Sequence, residues 1–395
     1  MIRTAVLSAV LFLGVSLAGA GSVLAAPVSG AGWAWGLNSD GELGNGTTTP
    51  YTGLSTPAQV VDLNNVVGLA AGDQHSLALR SDGTVWAWGN GGWGQLGQGR
   101  YAASNRPIQV AGLTGVVAIA AGSLHSLALK ADGSVWAWGF NYYGQASDGT
   151  SRGNVLGPIQ VKGLSGVKAI AAGGDTSLAL KSDGTVWAWG YDGLGELGNG
   201  TSDENQHSAP VRVRNLVSVA ALAAGGTHEL AVGKDGSLWS WGDNGSSQLG
   251  AKTTTRCGAY STPCARVPVR VASVSGVKAV AGGAGFTLIL KADGSAWGWG
   301  NNGYGELGTG SAQVSGSVVN PVRAGVVGVV AIAAGASHSL WLRSDGTAWA
   351  AGYNGDGQLG DGTFNDSAKP VAVLNLTGLS AIAAGHSHSL ALKSA

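Results

Sequence analysis

The stretch AAGDQHSLALRSDGTVWAWGNGGWGQLG, residues 70–97, returns fifty residues later as AAGSLHSLALKADGSVWAWGFNYYGQAS and then keeps returning. The glycine that closes its WAWG phrase recurs at Gly36, Gly89, Gly139, Gly190, Gly242, Gly300 and Gly352, at intervals of 50 to 58 residues, which makes seven units. Such a period signals a repeat architecture before any single element is assigned. Each unit offers up to four strands: a P-x-x-V piece headed by Pro57, Pro107, Pro158, Pro210, Pro268, Pro321 or Pro370, with Ala324 in the valine place of the sixth, an apolar run such as VVAIAAG, then HSLALK, then TVWAWG. The last two join through Asp-Gly, whose tolerance of positive φ suits a tight hairpin. A leading proline fits an edge strand, which need not donate every ladder hydrogen bond.

Alternation along the strands predicts how the units stack. Leu77 and Leu79 point one way, Ser76 and Ala78 the other, and both faces are small or apolar, as stacked sheets require. Trp86 and Trp88 share one face with Ala87 opposite, a bulky face to meet a small one around a ring. The chain opens after its leader with SGAGWAWG, the second half of a unit, and stops at AAGHSHSLALKSA, the first half of one. Ser29 and Ala395 both fall at the Asp position of the hairpin turn, so one unit is split between the ends and closes the ring. The expected fold is all-β: a seven-bladed β-propeller over residues 26–395, with the closing blade shared between N- and C-termini.

The phrase AAG-x-x-H-S-L-A-L-K-x-D-G-x-V-W-A-W-G-x-N-x-x-G-Q-L-G resembles the RCC1 repeat, named for the regulator of chromosome condensation, over essentially all of residues 32–395. The resemblance implies a seven-bladed propeller. Its members include nuclear guanine-nucleotide exchange factors, a plant ultraviolet photoreceptor, and secreted bacterial proteins, among them an inhibitor of β-lactamases. The unit lengths leave little room for an exchange-factor wedge, and no G-W-R-H-T segment matches the photoreceptor.

The rest of the composition narrows the setting. Only 11% of residues are charged and 69 are glycine, which disfavours long packed helices. Lys plus Arg and Asp plus Glu stand at 22 each, so no net field gathers nucleic acid or an anionic membrane, and neither is expected as a partner. Arg3, the apolar run Ala5–Leu17 and the small residues Val23 and Ala25 read as a signal peptide over residues 1–25, cleaved before Ala26. A secreted, monomeric protein, extracellular or periplasmic, is expected. In such a compartment Cys257 and Cys264 most simply form a local disulfide.

Repetition also sorts the candidate sites. His75, His125, His228, His338 and His388 occupy one repeat position, replaced by Thr176 and Phe286 in the other copies, and read as structural. His386 forms an H-S-H pair with His388 but lacks a third ligand, and His207 sits in a connector expected to be solvated, so no metal or cofactor is expected. No nucleophile elbow, phosphate loop or isolated carboxylate pair occurs, and no catalytic residue is assigned. Trp341 replaces a small residue and reads as filling a packing gap. Within the loop after each WAWG strand, two positions vary while the frame stays fixed, and they hold Trp93, Tyr143, Leu194 and Tyr304, and Phe140, Tyr191 and Tyr353. Equivalent loops share one side of a propeller, so these seven residues are the candidate partner-binding set. The longer connectors form a second candidate surface. The expected function is non-enzymatic binding of an unidentified protein, with inhibition of an extracellular hydrolase or carbohydrate binding as alternatives.

Overall fold

Four antiparallel strands, repeated seven times, build the molecule. The computed structural model describes residues 15–17, 20–22, 29–146, 149, 153–312 and 317–394. Most of the expected signal peptide lies outside these residues. Two short strands, Val15–Leu17 and Ala20–Ser22, pair with each other, and Gly21 aligns with Ile119. Every regular element among the described residues is a strand.

Blade 1 contains Val66–Ala71, His75–Arg80, Val85–Gly89 and Ser104–Gln109, from the axis outward. Blades 2 to 6 repeat it, with first strands Val116–Ala121, Val167–Ala172, Val219–Ala224, Val277–Gly282 and Val329–Ala334. The proline-headed piece is the fourth strand of each blade, outermost except in blade 4, where the short strand Thr255–Cys257 pairs outside Thr262–Arg270. Blade 7 joins Leu379–Ala384 and His388–Ser394 from one end of the chain to Gly30–Asn38 and Thr49–Gln59 from the other. Gly30–Asn38 meets His388–Ser394 in seven consecutive cross-strand pairs, from Gly30↔Ser394 to Gly36↔His388. The ring is closed by pairing between the two ends, as the split unit predicts.

The seams between blades carry a repeated polar lock inside an apolar interface. The second-strand histidine of one blade meets the Ser or Thr hydroxyl of the next: His75 to Ser126 at 3.0 Å, His125 to Ser177 at 2.9 Å, His228 to Thr287 at 2.9 Å, His338 to Ser389 at 3.0 Å and His388 to Ser76 at 2.9 Å. Each hydroxyl already donates to a carbonyl in the preceding blade's loop, as Ser126 does to Gln95 O at 3.0 Å. The imidazole must therefore be the donor at Nε2, which leaves Nδ1 as a bare acceptor without a partner. The structural role expected of these histidines holds, and the partner is a neighbouring blade's hydroxyl. Gly72 makes room for the lock, since a Cβ there would lie 2.3 Å from His75 Cε1. At the seam of blades 3 and 4 both members change together: Thr176 donates to a carboxylate oxygen of Glu229. Between blades 5 and 6 Phe286 removes the donor and no lock forms.

A second lock uses the inner tryptophan. Trp88, Trp138, Trp189, Trp241, Trp299 and Trp35 are fully buried, and each donates its indole N–H to a loop carbonyl of the preceding blade at 2.7–3.0 Å. Blade 6 has Ala351 instead, and Trp341 from the adjacent strand enters the vacated space. A Cβ built on Gly308 would lie 2.7 Å from the Trp341 ring, just as Gly44 faces Trp88 and Gly360 faces Trp35. The reading of Trp341 as a gap-filler is right, although its indole N–H reaches no partner.

Candidate functional site

Two kinds of segment share one face of the disc. The turns between first and second strands surround the mouth of the axial channel, which holds a cavity of about 130 Å³ lined by the Ala-Gly phrases. The loops after the third strands are tied down beside those turns: Asn90 N donates to Gln74 O at 2.7 Å, Phe140 N to Leu124 O at 2.9 Å, Tyr191 N to Asp175 O at 3.0 Å and Tyr353 N to Ser337 O at 2.8 Å. At the strand end, Gly89 sits at φ +98°, and a Cβ there would come within 2.5 Å of Gln74 O, so the close approach needs glycine.

The same frame presents the variable residues. The amide of Trp93 donates to Gln95 Oε1 at 2.8 Å, that of Tyr143 to Gln145 Oε1 at 3.0 Å, and that of Tyr304 to Glu306 Oε2 at 3.1 Å. A buried Gln or Glu two residues on thus fixes the backbone and leaves each side chain outside.

Five aromatic rings from three blades form one stripe. Trp93 meets Phe140 edge-on at 5.3 Å between centroids, Phe140 lies 6.4 Å from Tyr142 and 6.5 Å from Tyr143, Tyr142 meets Tyr143 at 5.0 Å, and Tyr143 meets Tyr191 at 4.7 Å. These are favourable aromatic geometries, and the stripe still exposes Trp93 at 43% and Tyr142 at 62%. Tyr304 and Tyr353, 5.0 Å apart, make a separate pair on blades 5 and 6. Leu194 belongs to neither: its Cδ2 lies 3.1 Å from where a Cβ on Gly258 would stand, against the hairpin closed by the Cys257–Cys264 disulfide. Six of the seven candidates therefore fall into two patches, and Tyr142, more exposed than any of them, was missed because it sits beside the variable position rather than at it. On the outer connectors Tyr101, Tyr260 and Phe364 are exposed.

Charge divides between the two faces. The channel-mouth turns and the loops beside them carry Asp40, Asp73, Asp175, Asp243 and Asp356, and the turns between first and second strands contain no lysine or arginine. Burial raises the Asp175 carboxyl to about 6 even though Gln145 donates to it at 2.7 Å, and burial raises Asp73 against the opposing influence of His386. The opposite ends of the second strands carry the cations: Arg80, Lys130, Lys181, Lys291, Arg343 and Lys393 each stand 4.8–5.9 Å from the ring centroid of the outer tryptophan beside them. A net charge of zero conceals this uneven distribution.

Asp73, Ser123 and His386 converge at the channel mouth. All three line the mouth, where Ser123 hydrogen-bonds the Asp73 carboxyl and His386 acts on it through its charge. His386 and His388 do not share a site: His388 is sealed in a seam, and His386 Nδ1 lies 3.2 Å from Ser387 Oγ. His207, expected to be solvated, is half-buried and paired with Asp203 at 3.0 Å.

Comparison with known proteins places this architecture. A family model described as an RCC1-like domain matches residues 13–264, and models of the regulator of chromosome condensation (RCC1) repeat match 293–342 and 345–392. The human E3 ubiquitin-protein ligase HERC2 is 32% identical over 375 residues, covering 91% of this chain and 6% of that protein. The ultraviolet-B receptor UVR8 of Arabidopsis thaliana is 28% identical over 356 residues, covering 86% of this chain and 64% of the receptor. The crystal structure of Prp20p from Saccharomyces cerevisiae, described together with its binding to Gsp1p and histones, superposes with a TM-score of 0.80 at 25% identity, covering 96% of this chain and 92% of Prp20p.

Proposed function

The chain belongs to the RCC1-repeat family, and from that premise we propose that it is a non-enzymatic protein-binding propeller whose channel-mouth face captures a partner bearing lysine or arginine. The observation that carries this reading is the continuous stripe from Trp93 to Tyr191, with Asp175 and Glu204 near Tyr143. Rigid aromatics supply contact area at low entropic cost, and their faces accept cationic side chains. Prp20p, described with binding properties to Gsp1p and histones and seen in a crystal structure with Kap60, offers a precedent for a protein of this shape that binds other proteins.

Export is part of the proposal. Arg3, the apolar run Ala5–Leu17 and the Cys257–Cys264 pair support it, and an extracellular enzyme then becomes a natural class of partner, as in the secreted inhibitors the sequence resembles. N-terminal sequencing of protein recovered outside the cytoplasm checks this, with Ala26 as the expected first residue.

The test is affinity capture from the native culture with three baits: wild type, a Trp93→Ala/Tyr142→Ala double variant, and Tyr304→Ala. The double variant should lose the captured protein with a melting temperature close to wild type, because both side chains are largely exposed. Capture should weaken as salt rises. Undiminished capture by the double variant would remove the stripe from the binding face. Loss with Tyr304→Ala alone would move the site to blades 5 and 6.

A further inference from the structure

One loop base breaks the repeat in three places at once. The residue two after the WAWG glycine is Asn38, Asn141, Asn244, Asn302 and Asn354 in five blades and Gly91 in blade 1. Its side chain braces the loop from inside: Oδ1 accepts the amide five residues on, as at Leu43, Ala146, Leu249, Leu307 and Leu359. Nδ2 donates to loop carbonyls, as Asn38 does to Thr47 O at 3.1 Å and Asn302 to Ser311 O at 2.9 Å. In blade 3 the position is Asp192, also fully buried. Its Oδ1 still accepts Leu197 N at 3.1 Å, but the donor arm has become a carboxylate oxygen that accepts from Thr201 Oγ1 at 2.8 Å.

The adjacent outer strand, Asp203–Arg212, answers that change. Asp203 pairs directly across from Asp192, and His207 across from Gly190, the position filled by Ser104, Val155, Val318 and Ser367 in blades 1, 2, 5 and 6. One atom each from Asp192, Asp203 and His207 lies within 4.8 Å of the other two. Two carboxylates and one imidazole meet here, and among the described residues no lysine or arginine forms an ion pair with either acid.

The geometry points to a divalent metal site of the Zn²⁺ class, formed by Asp192, Asp203 and His207, a grouping that no other blade repeats among the described residues. Borderline metals of this type take imidazole and carboxylate together, and a tetrahedral ion with bonds of about 2.0–2.2 Å needs three protein ligands plus one water. The ligand atoms must draw together slightly, and His207 must turn its Nε2 from Asp203 to the ion. Both acids and the imidazole lie on two paired strands, which hold their backbones in place. The cluster also borders the aromatic stripe: His207 N donates to Tyr143 O at 3.0 Å, and Asp192 follows Tyr191 in the chain. An ion here would fix the blade 3 end of that stripe.

The test uses the purified full chain, freed of metal by chelator and dialysis, titrated with ZnCl₂ and separately with MgCl₂ by calorimetry and thermal melting. Wild type should bind one Zn²⁺ per chain and melt higher with it, and Mg²⁺ should do neither at the same concentration. Asp192→Asn installs the residue that five blades carry, so it should fold and lose Zn²⁺ affinity about tenfold or more. His207→Ala should lose it equally, and carries the test should Asp192→Asn fail to fold. No saturable Zn²⁺ heat from wild type into the millimolar range, or a folded variant that binds as tightly as wild type, overturns the site.

Discussion

Trp341 and Ala351 show how a single residue can break the repeat while the packing stays intact. Both are fully buried, on neighbouring strands of blade 6, and one indole fills the volume that the other position fills elsewhere. Trp341→Ala should therefore cost about 3–5 kcal/mol in urea unfolding, as an emptied aromatic site does. Ala351→Trp alone should also destabilise, because two indoles would compete for the space against Gly308. Combined, the two should recover most of the loss. Strictly additive losses would show that the residues do not share one site. Trp341 was legible in the sequence because it violated an alignment of seven copies. Asp192 violated the same alignment, but its partners lie in a connector of variable length, where no register existed to set Asp203 or His207 against it.

At the level of the element, the seams have a chemistry that the linear repeat does not reveal. Each histidine lies 51 or more residues from its hydroxyl, or at the ends of the chain for His388 and Ser76, and the phase between adjacent blades sets the pairing. Seven strand sets and the shared closing blade could be read from the phrase. The inter-blade phase could not, because each strand shows small or apolar residues on both faces. The seam of blades 3 and 4 is the most heavily charged: burial pushes Glu196 up to about 8 and Glu229 well above its ordinary range, and each has a buried oxygen without a partner. Glu196 ionises near pH 4.5 when unfolded and near 8 when folded, so stability is lost as pH rises across that window. Glu196→Gln, the residue found at the same place in Gln95, Gln145, Gln248 and Gln358, should leave the melting temperature unchanged near pH 4.5 and raise it at pH 8. A variant no more stable than wild type at pH 8 would show that Glu196 carries no such burden. Deleting His388–Ser394 should abolish a monodisperse fold, because it removes the strand that joins the two halves of blade 7.

Across the whole molecule the five seam imidazoles act together. Burial holds His75, His125, His338 and His388 down to about 3 and His228 to about 4, because a proton on Nδ1 would find no acceptor. The unfolded chain takes up protons near 6.5 while the folded chain refuses them, so each histidine removes about 1.4 kcal/mol per pH unit on acidification through that window. The raised carboxyls, including Asp175 and Asp192 at about 6, oppose this down to about pH 4.5. Below that the imidazoles act unopposed, joined by the hairpin-turn aspartates whose carboxyls the neighbouring Ser and Thr hydroxyls hold down, and thermal melts should show a shallow plateau ending in a steep fall between pH 4.5 and 3. A gradual, even decline would contradict the sealed seams. Two seams lack an imidazole, that of Thr176 with Glu229 and that of Phe286 with Ser339. Acid should accordingly open the disc between blades rather than within them, leaving blades 3 and 4 docked as one unit and blades 5 and 6 as another along the continuous chain, with the openings marked by the histidines.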